Sequence, residues 1–162
     1  MRTLTIFTLS VALLFQAGCG GNDGRPADMP KLYSVRITVT QDGNPLDGAT
    51  VTLVANTPST YGESSGTTDA SGVATMMTYG YAGVPADDYA VRITKSVVEG
   101  ATERLTEEGR PIMTGGQLFQ YVEERYTQTN TTPHSLTVTD RAVTETFDVG
   151  SPVRVFMRAI PD

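Results

Sequence analysis

The sequence predicts an all-β protein, a β-sandwich of seven or eight short strands in a single domain. Segments in which apolar and polar residues alternate recur along the chain, and stretches rich in Gly, Pro, Asn and Asp separate them. Thr and Val, which favour strands, are abundant. The length of 162 residues fits one domain rather than two.

The strands are predicted in chain order from this alternation. In the first, Tyr33, Val35, Ile37 and Val39 share one face, and the residues between them share the other. Turn-forming residues separate it from the later strands. Those strands are predicted at residues 49–55, 66–68, 73–78, 89–93, 136–138, 143–149 and 153–157.

The composition excludes several classes of protein. With 39% hydrophobic and 19% charged residues, the chain is too apolar and too weakly charged to be disordered. Its net charge of −6 argues against a nucleic-acid partner. One Cys and one His exclude a disulfide framework and a Cys/His zinc cluster, and we expect neither a metal nor a cofactor.

Residues 1–18 are predicted to be a signal peptide. Arg2 supplies a positive charge, and residues 6–15 form an apolar run that is too short to span a bilayer. The run leads into Ala17-Gly18-Cys19, which resembles the bacterial lipobox, a motif whose Cys is acylated after the chain is cut before it. The alternative is an ordinary secretory signal followed by an unrelated Cys.

Acylation of Cys19 would attach the protein stably to a membrane. Residues 19–31 contain little that could be buried, and we expect a flexible tether there, followed by one domain over residues 32–162. Gly20 after the Cys resembles the sorting pattern for an outer membrane. We therefore expect a lipid-anchored protein of the cell envelope, facing the periplasm or the cell surface.

Three segments carry a resemblance to a known family. Residues 42–51 (DGNPLDGATV), 67–74 (TTDASGVA) and 84–91 (VPADDYAV) resemble the turn motifs of carboxypeptidase regulatory-like domains, although Asp88 replaces the usual Gly. The resemblance extends over most of residues 33–157 and includes short lipoproteins of planctomycetes and related bacteria. It implies a transthyretin-like (prealbumin-like) Greek-key sandwich and specifies no activity.

The motif residues have conformational roles. Gly43 and Gly48 permit positive φ at the ends of a hairpin. Asp69 is suited to accept backbone N–H groups within its own turn, which Gly72 closes. These residues shape turns and need not contact a ligand.

Few residues are candidates for chemistry. His134 stands alone in a loop, without the further ligands that a metal site needs or a nucleophile to activate. Asp69, Asp87 and Asp88 are predicted on loops, where calcium is the alternative to solvated turn carboxylates. No nucleophile and base can be paired, so we expect no enzyme.

Tyr61, Tyr79 and Tyr81 are the candidate contacts to a ligand or partner. They are predicted on loops that flank the same strands, where aromatic rings can stack on a sugar or a protein surface. The alternative is that these rings merely cover the end of the sandwich.

Residues 96–133 interrupt the strand pattern and are predicted to be an insertion. Thr114 and Gln117 resemble a capping box, and Leu118, Tyr121 and Val122 are spaced to share a helix face. We expect one short helix near residues 115–125 that covers the sandwich, with a partner site as the alternative.

The sequence therefore favours a non-catalytic, lipid-anchored envelope protein with a structural or adhesive domain. The alternative is a carbohydrate- or peptide-binding module at the cell surface. The expected partners are the membrane, through the anchor, and either an envelope protein or a glycan.

Overall fold

The computed structural model describes residues 24–160. The predicted signal peptide, Cys19 and the first part of the predicted tether lie outside the described residues. Within residues 24–160 the protein is all-β, with seventeen strands and one 3₁₀ helix, η1 (Glu124–Tyr126). No helix of this part is long and apolar enough to cross a membrane.

The strands vary from two to eight residues in length. In chain order they are β1 (Leu32–Tyr33), β2 (Val35–Gln41), β3 (Asn44–Pro45), β4 (Thr50–Ala55), β5 (Glu63–Thr67), β6 (Val73–Thr75), β7 (Met77–Thr78), β8 (Tyr81–Ala82), β9 (Val84–Pro85), β10 (Asp87–Thr94), β11 (Ser96–Glu99), β12 (Thr102–Leu105), β13 (Pro111–Thr114), β14 (Gln117–Gln120), β15 (Ser135–Val138), β16 (Val143–Asp148) and β17 (Val155–Ala159).

Two sheets pack face to face as a β-sandwich. The larger is antiparallel, in the order β15-β10-β4-β5-β7-β8. The smaller is centred on β2, which pairs with β3 and β6 in antiparallel fashion and with β16 in parallel. Because β6 pairs with β2 and β7 pairs with β5, residues 73–78 pass from one sheet to the other.

The inward faces of both sheets form one apolar core. Along β2, β4 and β10 buried residues alternate with more exposed ones, as the period of a half-buried strand requires. Complete burial of a Val or Ile side chain contributes about 2 kcal/mol. The fully buried core side chains of the three strands are Val35, Ile37, Val39, Val51, Leu53, Tyr89, Val91 and Ile93.

The predicted alternation and turn chemistry are confirmed in this core. Residues 35–39 and 51–53 have the predicted faces. Asp69 Oδ1 accepts the N–H groups of Ser71 and Val73, at 2.9 and 3.0 Å, as expected for a carboxylate that closes its own turn.

The predicted count of seven or eight strands is lower than the number that the structure describes, because several strands are two-residue pairings next to turns and a third sheet is present. This third sheet has the order β11-β14-β17, and the β12–β13 hairpin continues β11 and β14 outward. We call these five strands the extension. The predicted sandwich strand at residues 153–157 is therefore β17 of the extension.

The predicted helix near residues 115–125 is wrong. Residues 117–120 form strand β14, and only residues 124–126 are helical, in one 3₁₀ turn. Gly116 has a φ of +92°, which is not a helical value, and a Cβ there would lie 2.8 Å from the carbonyl oxygen of Glu99. The chain at residue 116 therefore passes too close to Glu99 for a residue with a side chain, and it is not helical there. The apolar spacing in this segment reflects a strand followed by a turn.

The end of this segment does cover the sandwich. Val122 and Tyr126 are buried in the core cluster, although Leu118 lies in the extension. Arg92 of β10 donates to the carbonyl of Thr127, which holds the segment beside that strand. The predicted covering role therefore belongs to residues 122–126.

The sandwich has two distinct ends. In β10, Tyr89 lies opposite Ala55 and Thr94 lies opposite Thr50, so β10 begins where β4 ends. We call the end where β2 and β10 begin the tyrosine end; it contains residues 24–34 and the loops 56–62 and 79–86. The extension begins after Thr94 and therefore leaves from the opposite, distal end.

We expect the outer hairpin of the extension to be dispensable for stability. Joining Thr102 to Thr114, which lie opposite each other, through an Asn-Gly turn should change the free energy of unfolding by less than about 0.5 kcal/mol, because the removed side chains are exposed. Val122→Ala should lose about 2 kcal/mol. Urea denaturation followed by circular dichroism measures both, and similar losses in the two proteins would contradict the assignment.

Candidate functional site

The structure brings the three candidate tyrosines together at the tyrosine end. Tyr61 precedes β5, Tyr79 lies in the β7–β8 turn and Tyr81 begins β8. The rings of Tyr61 and Tyr79 meet edge to face, with centroids 5.5 Å apart and an interplanar angle of 76°. They form one aromatic surface at this end of the sandwich.

Two of the three hydroxyls bind the chain's own N-terminal segment. Tyr81 Oη donates to the carbonyl oxygen of Gly24 at 2.6 Å, and Tyr61 Oη donates to Asp28 Oδ1 at 3.0 Å. Partial desolvation and this bond to the carboxylate raise the pKa of Tyr61. Residues 24–31, predicted to be part of a flexible tether, therefore lie against the sandwich in the structure.

Tyr79 differs from the other two because it is 67% exposed and its backbone is strained. Tyr79 and Gly80 form the two-residue loop of the β7–β8 hairpin, with φ values of +50° and +85°. Such loops need positive φ at both positions and favour Asn, Asp or Gly. A bulky side chain at positive φ is an outlier whose cost points to a role for its ring.

The two loops around this ring carry no charge. Residues 56–62 and 79–86 contain no Asp, Glu, Lys or Arg, in a chain whose net charge is −6. The nearest acidic residues are Glu63, Asp28, Asp87 and Asp88. Glu63 is exposed, directly follows the loop 56–62 and lines a pocket together with Tyr79. Asp88 accepts a hydrogen bond from the Thr137 hydroxyl. The exposed surface at Tyr79 is therefore aromatic, with the Glu63 carboxylate beside it.

His134 is a packed side chain rather than an open loop residue. Its ring stacks on Tyr126, with centroids 5.2 Å apart, and lies against Phe147 at 4.8 Å. Nε2 is 3.1 Å from the carbonyl oxygen of Asp148. Burial lowers the pKa of His134, the Arg125 charge adds to this, and Asp148 opposes it, so the imidazole is neutral near pH 7.

The candidate carboxylate Asp69 lies apart from Asp87 and Asp88. Asp69 is occupied by its own turn, and hydrogen bonds from Ser71 and Val73 lower its pKa. Asp87 and Asp88 lie at the start of β10, at the other end of the sandwich. Within residues 24–160 no three His, Cys, Asp or Glu side chains are grouped to hold a metal ion.

The extension contains a polar cluster that the sequence did not reveal. Arg154 Nη2 donates to Glu99 Oε2 at 2.7 Å, and the Tyr121 hydroxyl also binds this carboxylate. Both bonds lower the pKa of Glu99, and the bond from Arg154 has the larger effect. The Arg154 guanidinium lies 3.5 Å from the ring centre of Phe119, a cation–π contact. These residues are distant in sequence, and no local pattern marks them.

A cleft of about 530 Å³ lies between the extension and the turn around η1. Gln120 is 8% exposed and lines the cleft; its Oε1 accepts a hydrogen bond from Ser96, whereas its Nε2 has no partner within the described residues. A buried amide without a partner costs about 1–3 kcal/mol. Neutral polar and apolar side chains share the walls with Glu124: Thr94, Ser96, Val122, Thr127, Gln128, Val155 and Met157.

We expect the backbone strain at Tyr79 to be measurable. Tyr79→Gly and Tyr79→Ala both remove the ring, but only glycine relieves positive φ. The Gly variant should therefore be more stable than the Ala variant by about 1 kcal/mol in thermal or urea denaturation. Equal stabilities would show that the turn is unstrained.

We also expect stability to fall on mild acidification. The pKa of His134 is lower in the folded protein than its ordinary value of 6.5. At pH values between these two pKa values, the unfolded chain therefore binds more protons than the folded protein does. The free energy of unfolding consequently decreases as the pH falls through that range. His134→Phe keeps a ring between Tyr126 and Phe147 and should abolish the effect. The chain has one His, so an equal decline in both proteins between about pH 7 and pH 5.5 would contradict this assignment.

Comparison with known proteins identifies no family for this chain. No family model matches it, and neither does any curated protein. Similar solved structures include the major pilin subunit of Bacillus cereus, which is 19% identical over 74% of this chain and 30% of the pilin, with a TM-score of 0.41. A chlorocatechol 1,2-dioxygenase from Pseudomonas putida is 18% identical over 83% of this chain and 63% of the dioxygenase, with a TM-score of 0.32. A 9R-lipoxygenase from Cyanothece is 14% identical over 74% of this chain and 16% of the lipoxygenase, with a TM-score of 0.29. This chain spans less than two thirds of each, and similarities this weak carry no functional argument.

Proposed function

We propose that this protein is a non-catalytic, lipid-anchored protein of the cell envelope whose β-sandwich has a structural or adhesive role. One observation carries the proposal: the N-terminal segment and the extension lie at opposite ends of the sandwich. An anchor at Cys19 would hold the tyrosine end near a membrane and direct the extension away from it.

The extension suits contact with another macromolecule. Strands β11 and β12 follow β10 along the chain, and every residue of β12 is exposed. Within the described part, β17 pairs only with β14, and its other edge is open. Val155, Phe156 and Met157 on this strand are each more than half exposed. Open edges with exposed apolar residues are sites where a further strand can add.

The finer fold assignment is part of the same proposal. A transthyretin-like Greek-key sandwich of the carboxypeptidase regulatory-like type fits the turn motifs at residues 42–51 and 67–74. Gly43, Gly48 and Gly72 have positive φ, which gives those motif glycines a conformational reason. Gly20, the residue after Cys19, supplies the expectation of an outer-membrane location.

The second candidate is the carbohydrate- or peptide-binding module. The observation that favours it is the cleft beside the extension, with the unpartnered amide of Gln120 and walls of mixed polar and apolar side chains. Tyr61 and Tyr81 support it less, because their hydroxyls bind Asp28 and Gly24. If this candidate is right, Gln120→Leu should abolish capture of the bound glycan or peptide and leave the anchor intact.

We expect Cys19→Ala to abolish acylation and to leave the protein soluble or unprocessed, without affecting the fold. The full chain, expressed in a bacterium that processes lipoproteins, should gain the mass of the acyl chains and float with membranes in a density gradient. The variant lacks the thiol that would be acylated, and no other Cys can replace it.

Ser10→Ala is the matched control, a similar small change within the predicted signal peptide, and should be processed like the wild type. If Cys19→Ala floats with membranes and has the same mass as the wild type, the lipid-anchor proposal is wrong. If both proteins are secreted and soluble, the segment is an ordinary secretory signal.

A further inference from the structure

We propose that the tyrosine end rests on the lipid surface, with the Tyr79 ring in the headgroup region of the bilayer. The inference rests on the lipid anchoring proposed above and adds the orientation of the domain and the residue that touches lipid. Four observations support it: the reach of the chain, the exposure of the ring, the strained backbone and the uncharged loops.

The chain between the proposed anchor and the sandwich is short. Gly24 is five residues after Cys19, so the two cannot be more than about 18 Å apart even in a fully extended chain. Tyr81 holds the Gly24 carbonyl at 2.6 Å, and Tyr61, which holds Asp28, contacts the Tyr79 ring. The exposed ring therefore lies beside the point where the chain leaves toward the anchor.

The two hydroxyl bonds hold this short connection. The first strand pairing of the described residues is at Leu32, which pairs with β9 and is separated from Cys19 by about 45 Å of extended chain. The bonds between the tyrosines and residues 24–28 thus convert a long connection into a short one. With the short connection, the tyrosine end faces the membrane and the extension points outward.

The chemistry of this surface suits the membrane–water interface. Tyr and Trp rings are favoured at the membrane–water interface because an apolar ring and a polar group meet there. Tyr79 presents such a ring at 67% exposure, on a turn whose positive φ disfavours it. Contact with lipid accounts for an exposed tyrosine that local conformation opposes.

The charge of these loops also bears on the approach to lipid. The loops 56–62 and 79–86 carry no charge, although the chain has an excess of acidic residues, and Glu63 at the end of the first loop is the carboxylate beside Tyr79. Loops without carboxylates meet less repulsion from anionic headgroups than the rest of the chain would. The charged side chains on the N-terminal segment, Arg25, Asp28 and Lys31, include both signs.

Tryptophan fluorescence tests the proposal, because the chain contains no Trp. Tyr79→Trp keeps an interfacial ring and provides a single reporter. The full chain is purified from bacterial membranes and reconstituted into phosphatidylcholine vesicles, with or without bromine on the acyl chains. We expect the emission of the Tyr79→Trp protein to shift to shorter wavelength in vesicles and to lose intensity when the lipid is brominated.

Phe156→Trp is the matched control, an exposed ring on the extension. Its emission should be the same in brominated and plain vesicles. Thr60→Trp, in the exposed neutral loop beside Tyr61, is a second reporter should Tyr79→Trp not fold. Equal emission in the two kinds of vesicle for the reporter at the tyrosine end overturns the proposal, and so does quenching of the Phe156→Trp protein alone.

A further variant tests the short connection. Tyr61→Phe together with Tyr81→Phe, in the Tyr79→Trp protein, removes both hydroxyl bonds and keeps the rings. Quenching by brominated lipid should be lost or strongly reduced. Unchanged quenching would contradict the role of these bonds in orienting the domain.

Mass spectrometry and flotation on the same samples separate the two proposals. If the protein is acylated and floats but the reporter at the tyrosine end is not quenched, the orientation is wrong and the lipid anchor stands. If the protein carries no acyl chain and does not float, the anchor proposal fails and the orientation falls with it.

Discussion

The packing of β2 against β4 and β10 is the interaction on which the rest of the structure depends. Val35, Ile37 and Val39 of β2 are fully buried against the inward residues of the larger sheet. A one-residue shift of β2 would turn these side chains outward and place Arg36 in the core, so its register is strongly specified. The direction of β2 and β10, which both run from the tyrosine end to the distal end, separates the N-terminal segment from the extension.

The buried strands could be predicted from the sequence, because burial of one face of a strand requires apolar and polar residues to alternate along it. The turn at Asp69 could be predicted for a related reason, since its hydrogen bonds join residues two and four apart. Both are local consequences of the chain, and the structure agrees with both.

The extension could not be predicted because neither physical signal applies there. Every residue of β12 is exposed, so no face is selected and no alternation results. Leu118 lies in strand β14, and Tyr121 and Val122 lie in the partly buried turn that follows it. The spacing of these three residues in the sequence is nevertheless the spacing expected on one face of a helix. Gly116 lets the chain pass close to Glu99, and this close approach excludes a helix there. The approach depends on the tertiary fold and cannot be recognised in the sequence.

The candidate site was predictable in part. The tyrosines stood out because aromatic residues in polar loops are uncommon, and the structure groups all three. Their bonds to Gly24 and Asp28 join residues 57 and 33 positions apart, which no sequence pattern records. The unpartnered amide of Gln120 likewise depends on the fold, because its neighbours come from four separate segments.

The opposite positions of the N-terminal segment and the extension have a mechanical consequence. A pull between them runs along the strands, with β2 drawn toward one end and β10 toward the other. Hydrogen bonds between strands lie across this direction, so the bonds of β10 with β4 and of β2 with β16 and β6 are loaded in shear and must break together. A domain loaded from adjacent ends of one hairpin would instead open one bond at a time. This strand arrangement therefore resists tension between the tyrosine end and the distal end.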